Sequence, residues 1–384
     1  MTTNMTTTNM TTVKKLAASP LLWPALALIL LLAVNLVLTP SFLSIRVQDG
    51  HLFGSVIDIL RNGAPTMLVA LGMTLVIASR GIDLSVGAVV AVSGALACAH
   101  IAASADPAGA GTVITAMGIA LGVAVGLGLW NGMLVSVFGV QPIIATLVLM
   151  TAGRGIALFI TDGQIVTITS APFKVLGAGY AFGLPVAILV SLSVFVLIGL
   201  LVRRTALGML LESVGINPEA SRLAGVRHRS IVFAVYVFCA LCAGVAGLMI
   251  SSNISAADAN NAGLWIEMDA ILAVVIGGTS LLGGRFSLTG TILGALIIQT
   301  LTTTVYTAGI TPETTLVFKA LVVIAVFLMQ APRFRAMLSR RRSRPSAPAE
   351  SPALADSAAA QPLSIPDPTQ GGTGIRDGNE MSRL

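Results

Sequence analysis

The amino-acid sequence is dominated by long apolar stretches that are separated by short polar segments. A helix needs about 20 apolar residues to cross the hydrocarbon core of a bilayer, and backbone polar groups at that depth must be hydrogen-bonded within the protein. Hydrophobic residues make up 55% of the 384 residues and charged residues only 10%, which excludes a soluble domain. The pattern predicts an all-α polytopic membrane protein with about ten transmembrane helices.

The predicted spans end at polar turns and at glycine or proline residues. They cover residues 21–38, 56–79, 88–103, 112–138, 142–161, 184–202, 230–252, 267–282, 287–308 and 314–330. The eighth and ninth stretches also fit a broken or re-entrant hairpin. The transmembrane domain is predicted to occupy residues 21–332, between an N-terminal segment, 1–20, and a Pro/Ala/Ser/Gly-rich tail, 333–384. Both ends are predicted to be disordered.

Basic residues are concentrated in alternate polar segments. The segments assigned to one side contain only Arg46 and Lys174, whereas the other side holds the remaining arginines and lysines near the spans. Cytoplasmic loops of membrane proteins carry an excess of Lys and Arg. The asymmetry predicts that both termini are cytoplasmic, and it accounts for the net charge of +6 without a nucleic-acid partner.

The longest polar interruption, residues 203–229, contains the local signals of a short helix. Asn217 is a favoured N-cap residue, and Pro218 fits the first helical position. Glu219 complements the positive end of the helix dipole, and Gly225 suits the left-handed residue that follows a helix. The sequence therefore predicts a capped helix of about two turns outside the membrane. Capping alone leaves open whether this helix is a docking site or a solvated loop.

Polar and aromatic side chains within the spans are candidates for lining a transport path, because placing them in a membrane is costly. The candidates are Arg61, Asn62, Trp130, Asn131, Arg154 and Asp269. Asp58 lies three residues before Arg61, so mutual neutralisation on one helix face is favoured over a role in transport. Trp130 and Asn131 fit either a sugar-stacking site or an interhelical hydrogen bond beside an anchoring aromatic ring.

Arg154 lies deep in the fifth predicted span, and its own helix face carries no acidic residue. An unpaired arginine at that depth is energetically costly, so a partner elsewhere is expected. The alternatives are Asp269, another helix or a backbone carbonyl. Lys319 lies near one end of the tenth span and is expected to extend towards the membrane surface.

Signatures of catalysis are missing from the sequence. Its three histidines are scattered without the spacing of metal ligands. Residues 278–285 have the glycines of a phosphate-binding loop but lack its Lys-Ser/Thr pair. We therefore expect no catalytic residue, metal or cofactor, and the energy for any pumping has to come from a partner.

Four stretches carry a resemblance to a known family. They are residues 72–87, with Gly81-Ile82-Asp83-Leu84-Ser85-Val86-Gly87; residues 141–155, with Gly153-Arg154-Gly155; residues 215–225; and residues 264–284, with Asp269-Ala270-Ile271. On these stretches the chain resembles the permease subunits of bacterial ATP-binding cassette (ABC) sugar importers, the group with ribose, xylose, galactose and galactofuranose permeases. Three further segments, 48–55, 163–167 and 257–265, are most similar to galactofuranose permeases.

The resemblance implies the ABC importer permease fold of the ribose and branched-chain amino acid type, in the bacterial inner membrane. It implies cytoplasmic ABC ATPase subunits, a periplasmic sugar-binding protein and a second permease subunit, identical or different. The substrate would be a monosaccharide, galactofuranose or a ribose-like sugar, moved by alternating access. The capped helix would be the coupling helix that fits a groove on the ATPase, with residues Asn217, Pro218, Glu219, Arg222 and Gly225.

Two other functions would require features that differ from those of an importer permease. A self-powered secondary sugar transporter would need a cluster of acidic residues or histidines that couples ion flow through one bundle, and the spans contain none. A membrane-embedded glycosyltransferase would need a metal-binding site or an acidic catalytic pair at the membrane interface, which the sequence also lacks.

Overall fold

Helices form most of the regular structure in the computed structural model, which describes residues 21–48, 50–309, 314, 316, 317, 319–321 and 324. The helices are α1 (Leu22–Leu38), α2 (Ser55–Ala78), α3 (Val86–Ala103), α4 (Ala110–Ser136), α5 (Pro142–Ile160), α6 (Ala171–Ala178), α7 (Val186–Arg204), α8 (Leu207–Ile216), α9 (Pro218–Leu223), α10 (His228–Ile254), α11 (Ile266–Ile276) and α12 (Leu288–Thr307). The predicted all-α class is therefore confirmed for the described residues.

Short strands connect some of the loops in antiparallel pairs. The pairs are β1 (Arg46–Gln48) with β2 (His51–Phe53), β3 (Val166–Thr167) with β6 (Ala256–Ala257), and β4 (Tyr180–Ala181) with β5 (Leu184–Pro185). The β3–β6 pair ties the segment that follows α5 to the segment that follows α10.

Helix α2 passes through the middle of the bundle. All of its residues from Met67 to Ala78 are buried, and it packs against α7, α10, α11 and α12. Small residues make this packing close: a Cβ atom added at Gly72 would lie 2.9 Å from the Cα atom of Cys239 in α10. Close backbone approach at glycine is the usual way in which membrane helices gain packing energy.

Seven of the described helices are long and apolar enough to cross a membrane, namely α2, α3, α4, α5, α7, α10 and α12. Helix α1 has 17 residues, which is the lower limit for a span. These eight helices correspond to the first seven predicted spans and the ninth.

The eighth predicted span, 267–282, is helical over only part of its length. Helix α11 has 11 residues and ends at Ile276, so it extends only about 16 Å, roughly half of the hydrocarbon core. Gly278, Gly283 and Gly284 after it all have positive φ values, which stop a helix. The eighth and ninth stretches therefore form a broken hairpin, the alternative that the sequence left open.

Parts of the prediction fall outside the described residues. The described positions of the tenth span, 314, 316, 317, 319–321 and 324, are helical, and the rest of that span is not described. The two ends predicted to be disordered, 1–20 and 333–384, also lie outside the described residues.

Candidate functional site

The predicted capped helix is present as α9. Asn217 Oδ1 accepts hydrogen bonds from the backbone N–H groups of Glu219, at 3.1 Å, and Ala220, at 3.0 Å. Pro218 occupies the first helical position. Gly225, just beyond the end of the helix, has a left-handed φ of +82°. The capping signals in the sequence therefore act as predicted at both ends.

An ion pair lies on the exposed surface of α9. Arg222 Nη2 donates to Glu219 Oε1 at 2.6 Å. This hydrogen bond lowers the pKa of Glu219 and raises the pKa of Arg222, so both side chains are charged at neutral pH. Ile216, two residues before α9, and Leu223, its last residue, expose 60% and 76% of their surface. The surface of α9 therefore combines a charged pair with two exposed apolar side chains.

A second helix, α8, joins α9 to the membrane bundle and was not predicted. The capping signals predict a single helix within residues 203–229. Leu211, Val214 and Gly215 of α8 are buried, and the helix contacts both α2 and α7. Helix α9 is therefore anchored to the bundle through α8.

Arg80 connects the α8–α9 region to two other segments. Its Nη2 atom donates to the carbonyl oxygen of Ile216, the last residue of α8, at 2.6 Å. Its Nε atom donates to the carbonyl oxygen of Leu282, in the loop between α11 and α12, at 3.1 Å. Gly284 N–H also donates to Ala78 O, at the end of α2, at 2.9 Å. The α8–α9 region, α2 and the α11–α12 loop thus meet at the Arg80 guanidinium and its flanking backbone, and we call this set of contacts the Arg80 clamp.

Glycines make the Arg80 clamp compact. A Cβ atom at Gly215 would overlap the backbone of Ala78 and Gly284, and one at Gly283 would overlap the Arg80 side chain. Arg80 itself has φ +66°, a left-handed conformation that is uncommon for residues other than glycine. From the sequence alone, Arg80 is predicted only as one of the basic residues beside the spans. The glycines on both sides of the contact were the available signal for close packing.

Arg154 has partners within the protein, as predicted. Its Nη1 atom donates to the carbonyl oxygens of Ala259, at 3.1 Å, and Ala262, at 2.7 Å. Asp258 organises the same loop, because its carboxylate accepts the backbone N–H groups of Asn260 and Asn261. Of the alternatives weighed for Arg154, the backbone carbonyl is the one observed. The arginine ties α5 to the loop before α11.

The carboxylate of Asp269 pairs with Lys319 and not with Arg154. Lys319 Nζ donates to Asp269 Oδ2 at 2.9 Å, and both side chains are largely buried. The expectation that Lys319 extends to the membrane surface is therefore wrong, because a carboxylate is within reach on α11. A cavity of about 370 Å³ beside the pair is lined also by Trp265 and Met268.

Arg61 and Asn62 lie in the second turn of α2. Arg61 Nη2 is 3.2 Å from Asp58 Oδ1, which is the mutual neutralisation that their spacing favoured. Both Arg61 and Asn62 line a cavity of about 220 Å³ with Asn253 of α10. The ion pair with Asp58 neutralises part of the Arg61 charge. Because Arg61 and Asn62 line this cavity, their role in transport stays a prediction.

Asn131 is buried in a hydrogen-bonded chain between helices. Its Nδ2 atom donates to Ser85 Oγ at 2.8 Å, and Ser85 Oγ donates to Asp83 Oδ1 at 2.6 Å. Neighbouring Trp130 is 48% exposed. This geometry matches the interhelical hydrogen bond weighed for Asn131, with its aromatic neighbour at the surface. A role for the two residues in sugar binding stays a prediction.

The six candidate path residues do not form one site. Arg61 and Asn62, Trp130 and Asn131, Arg154, and Asp269 have separate sets of partners in the described residues. No group of three or more His, Cys, Asp or Glu side chains in the described part of the chain is arranged to hold a metal ion. The best-defined functional geometry is therefore that of α9 and the Arg80 clamp.

The chain is similar in sequence to known permease proteins over most of its length. Residues 55–327 match the family described as "Branched-chain amino acid transport system / permease component". The galactofuranose transporter permease protein YtfT of Escherichia coli (strain K12) is 49% identical over 84% of this chain and 94% of its own length. The fructose import permease protein FruF of Bifidobacterium longum is 40% identical over 89% and 96%. The ribose import permease protein RbsC of Bacillus subtilis is 34% identical over 80% and 92%.

No solved structure matches the chain. The family match begins at the first residue of α2 and includes all seven of the helices that are long and apolar enough to cross a membrane. The protein is a multi-pass protein of the inner membrane. The chain belongs to the family of ABC importer permeases that contains these sugar import proteins.

Proposed function

We propose that the protein is the permease subunit of an ABC importer that moves a monosaccharide into the bacterial cytoplasm. The 49% identity with a galactofuranose permease over 94% of that protein carries the proposal. Galactofuranose is accordingly the first sugar to test, and a ribose-like sugar is the second. The sequence has no complete nucleotide-binding loop, so ATP hydrolysis is assigned to partner ATPase subunits.

The proposed complex contains two permease subunits, two cytoplasmic ATPases and a periplasmic sugar-binding protein. The second permease is another copy of this chain or a different one. The binding protein delivers sugar on the periplasmic side, and the permease pair encloses the path. Uncharged sugars suit spans with few fixed charges, because the path does not have to neutralise an ion.

In this proposal ATP binding moves α9, and the Arg80 clamp carries the motion inward. Helix α9 follows α8 directly, and Arg80 holds the end of α8. The same side chain holds the α11–α12 loop, and the backbone bond from Gly284 holds the end of α2. A displacement of α9 would therefore reach the central helix and the broken hairpin together. Movement of these elements would reorient the path between its outward-open and inward-open states.

The orientation of the chain is the first prediction. The basic loops support a topology with both termini in the cytoplasm and Lys174 in the periplasm. Reporter fusions that end at Arg344 should be active only as cytoplasmic reporters, and fusions that end at Lys174 only as periplasmic ones. A fusion that ends at Arg229 is the control and should give the same readout as Arg344. A periplasmic readout at Arg344 contradicts the proposed topology.

Reversal of the charge at position 219 tests the docking surface. Glu219 is 68% exposed and carries charge next to the apolar ends of α9. Glu219→Arg should leave the permease in the membrane but weaken co-purification of the ATPase and lower sugar uptake at least tenfold, because like charges across a protein interface are strongly unfavourable. The measurement is the ratio of ATPase to permease after affinity purification, together with uptake.

A charge swap separates docking from helix stiffness. Glu219→Arg combined with Arg222→Glu restores the ion pair within α9 but reverses both outward charges. If α9 docks through these charges, the double variant stays uncoupled. If the double variant recovers full uptake, only the ion pair within α9 matters. If Glu219→Arg alone keeps full ATPase association, this face of α9 is not the coupling surface.

A further inference from the structure

A groove of about 840 Å³ lies beside the cytoplasmic end of α7 and has no part in the proposed transport mechanism. It is bounded by the last three turns of α7, by α8 and by the start of α12. Its lining includes Phe195, Val196, Gly199, Arg203, Arg204 and Glu212. One part of the lining is apolar and belongs to a membrane span, and the other part is charged.

The charged part of the groove is positive. Arg203 and Arg204 are exposed in the last turn of α7, and within the described residues neither guanidinium has a hydrogen bond or an ion pair. Glu212 is the single carboxylate among the lining residues. Two free guanidinium groups and one carboxylate leave a net positive charge that faces the groove.

The apolar part of the groove is an exposed surface of the candidate membrane span α7. Helix α7 is the least buried of the seven candidate spans in the described residues. Only 17% of its most apolar 18-residue stretch is buried. Val196 and Leu200 expose 48% and 52% of their surface. Gly199 has no atom within 4 Å of the position that a Cβ atom would take, so it leaves a gap in this surface. An acyl chain fits such an apolar gap next to a cationic rim.

We propose that this groove binds one anionic phospholipid, with its phosphate on Arg203 and Arg204 and an acyl chain along Gly199. Basic pockets between helices on the cytoplasmic side of a membrane are suited to anionic headgroups, and guanidinium groups bind phosphate in a bidentate way. The groove volume lies in the range of known ligand sites. The segment from Arg333 to Arg344 is strongly basic, so charge repulsion disfavours it as the occupant.

Lipid titration of the purified full-length protein tests this proposal without any need for transport. Native mass spectrometry in neutral detergent should show tighter binding of phosphatidylglycerol than of phosphatidylcholine. Arg203→Gln with Arg204→Gln should weaken phosphatidylglycerol binding about 30-fold, because each arginine near an anionic surface contributes about fivefold. Gly199→Leu should also weaken binding, because it fills the space for the acyl chain without a clash.

Matched variants control for total charge and for added bulk. Arg229→Gln with Arg285→Gln removes the same charge from exposed positions outside the groove, and Gly126→Leu adds the same side chain at another open glycine, on α4. Both should bind phosphatidylglycerol like the wild type.

Equal affinity for phosphatidylglycerol and phosphatidylcholine overturns the proposal. An equal loss of phosphatidylglycerol binding in the charge control also overturns it. If inorganic phosphate displaces phosphatidylglycerol and Gly199→Leu has no effect, the groove binds a free anion. If the groove variants change the oligomeric state but not lipid binding, the groove contacts a second copy of the chain. Either result also overturns it.

Discussion

Replacing Arg80 by glycine is expected to uncouple ATP hydrolysis from transport while the fold is retained. Glycine adopts the left-handed backbone of Arg80, φ +66°, without strain. The substitution removes both bonds of the guanidinium, to Ile216 O and to Leu282 O. A hydrogen bond from a charged group contributes about 1.5–3 kcal/mol, so loss of even one corresponds to about tenfold in an equilibrium constant. We expect uptake to fall at least tenfold.

The readouts distinguish loss of coupling from loss of structure. The ATPase should still co-purify with the Arg80→Gly permease, because the caps and the ion pair of α9 do not involve Arg80. Basal ATP hydrolysis should persist, and its stimulation by sugar-loaded binding protein should disappear. Arg80→Lys keeps the cytoplasmic charge but lacks the planar fork that spans two carbonyls, so it should show the same defect in milder form. Normal stimulation in Arg80→Gly contradicts a transmitting role for the Arg80 clamp.

Replacing Arg154 by leucine is expected to impair assembly and transport. The guanidinium is the donor to two carbonyls in the loop before α11. Leucine would leave the oxygens of Ala259 and Ala262 without this donor in a partly buried place. Two charge-assisted hydrogen bonds are worth about 3 kcal/mol or more, a large fraction of a typical folding stability. We expect a lower yield of folded protein in the membrane and uptake reduced at least tenfold.

Arg154→Lys is the matched control, because it keeps the charge and one bond to the loop. It should give intermediate yield and uptake, measured by fluorescence-detected size exclusion and by labelled-sugar uptake. If Arg154→Leu assembles and transports like the wild type, Arg154 is only a tolerated polar residue and leaves the set of path candidates.

Features that depend on local chemistry could be predicted from the sequence. The long apolar stretches located eight of the described helices, because only a helix satisfies its own backbone within a membrane. The caps of α9 were also predictable, because Asn217, Pro218 and Gly225 each act on atoms within a few residues of themselves.

Features that depend on distant contacts could not be predicted. The partners of Arg154 are carbonyls about a hundred positions away, which carry no signal in the sequence. Helix α8 was missed because its helical signal is weak without the bundle against which Leu211 and Val214 are buried. The end of α11 at Ile276 was missed because the apolar stretch continues beyond it, whereas glycines with positive φ decide the backbone.

The energy source for uptake tests the central claim most directly. The permease, its ATPase and the binding protein would be reconstituted in proteoliposomes, with radiolabelled galactofuranose as the first substrate and ribose as the second. An ABC importer requires uptake that depends on ATP and the binding protein and continues when an uncoupler removes the proton gradient. Glu219→Arg should abolish this uptake. Uptake that stops with the uncoupler and continues without ATP would contradict the account, and would instead identify a secondary transporter.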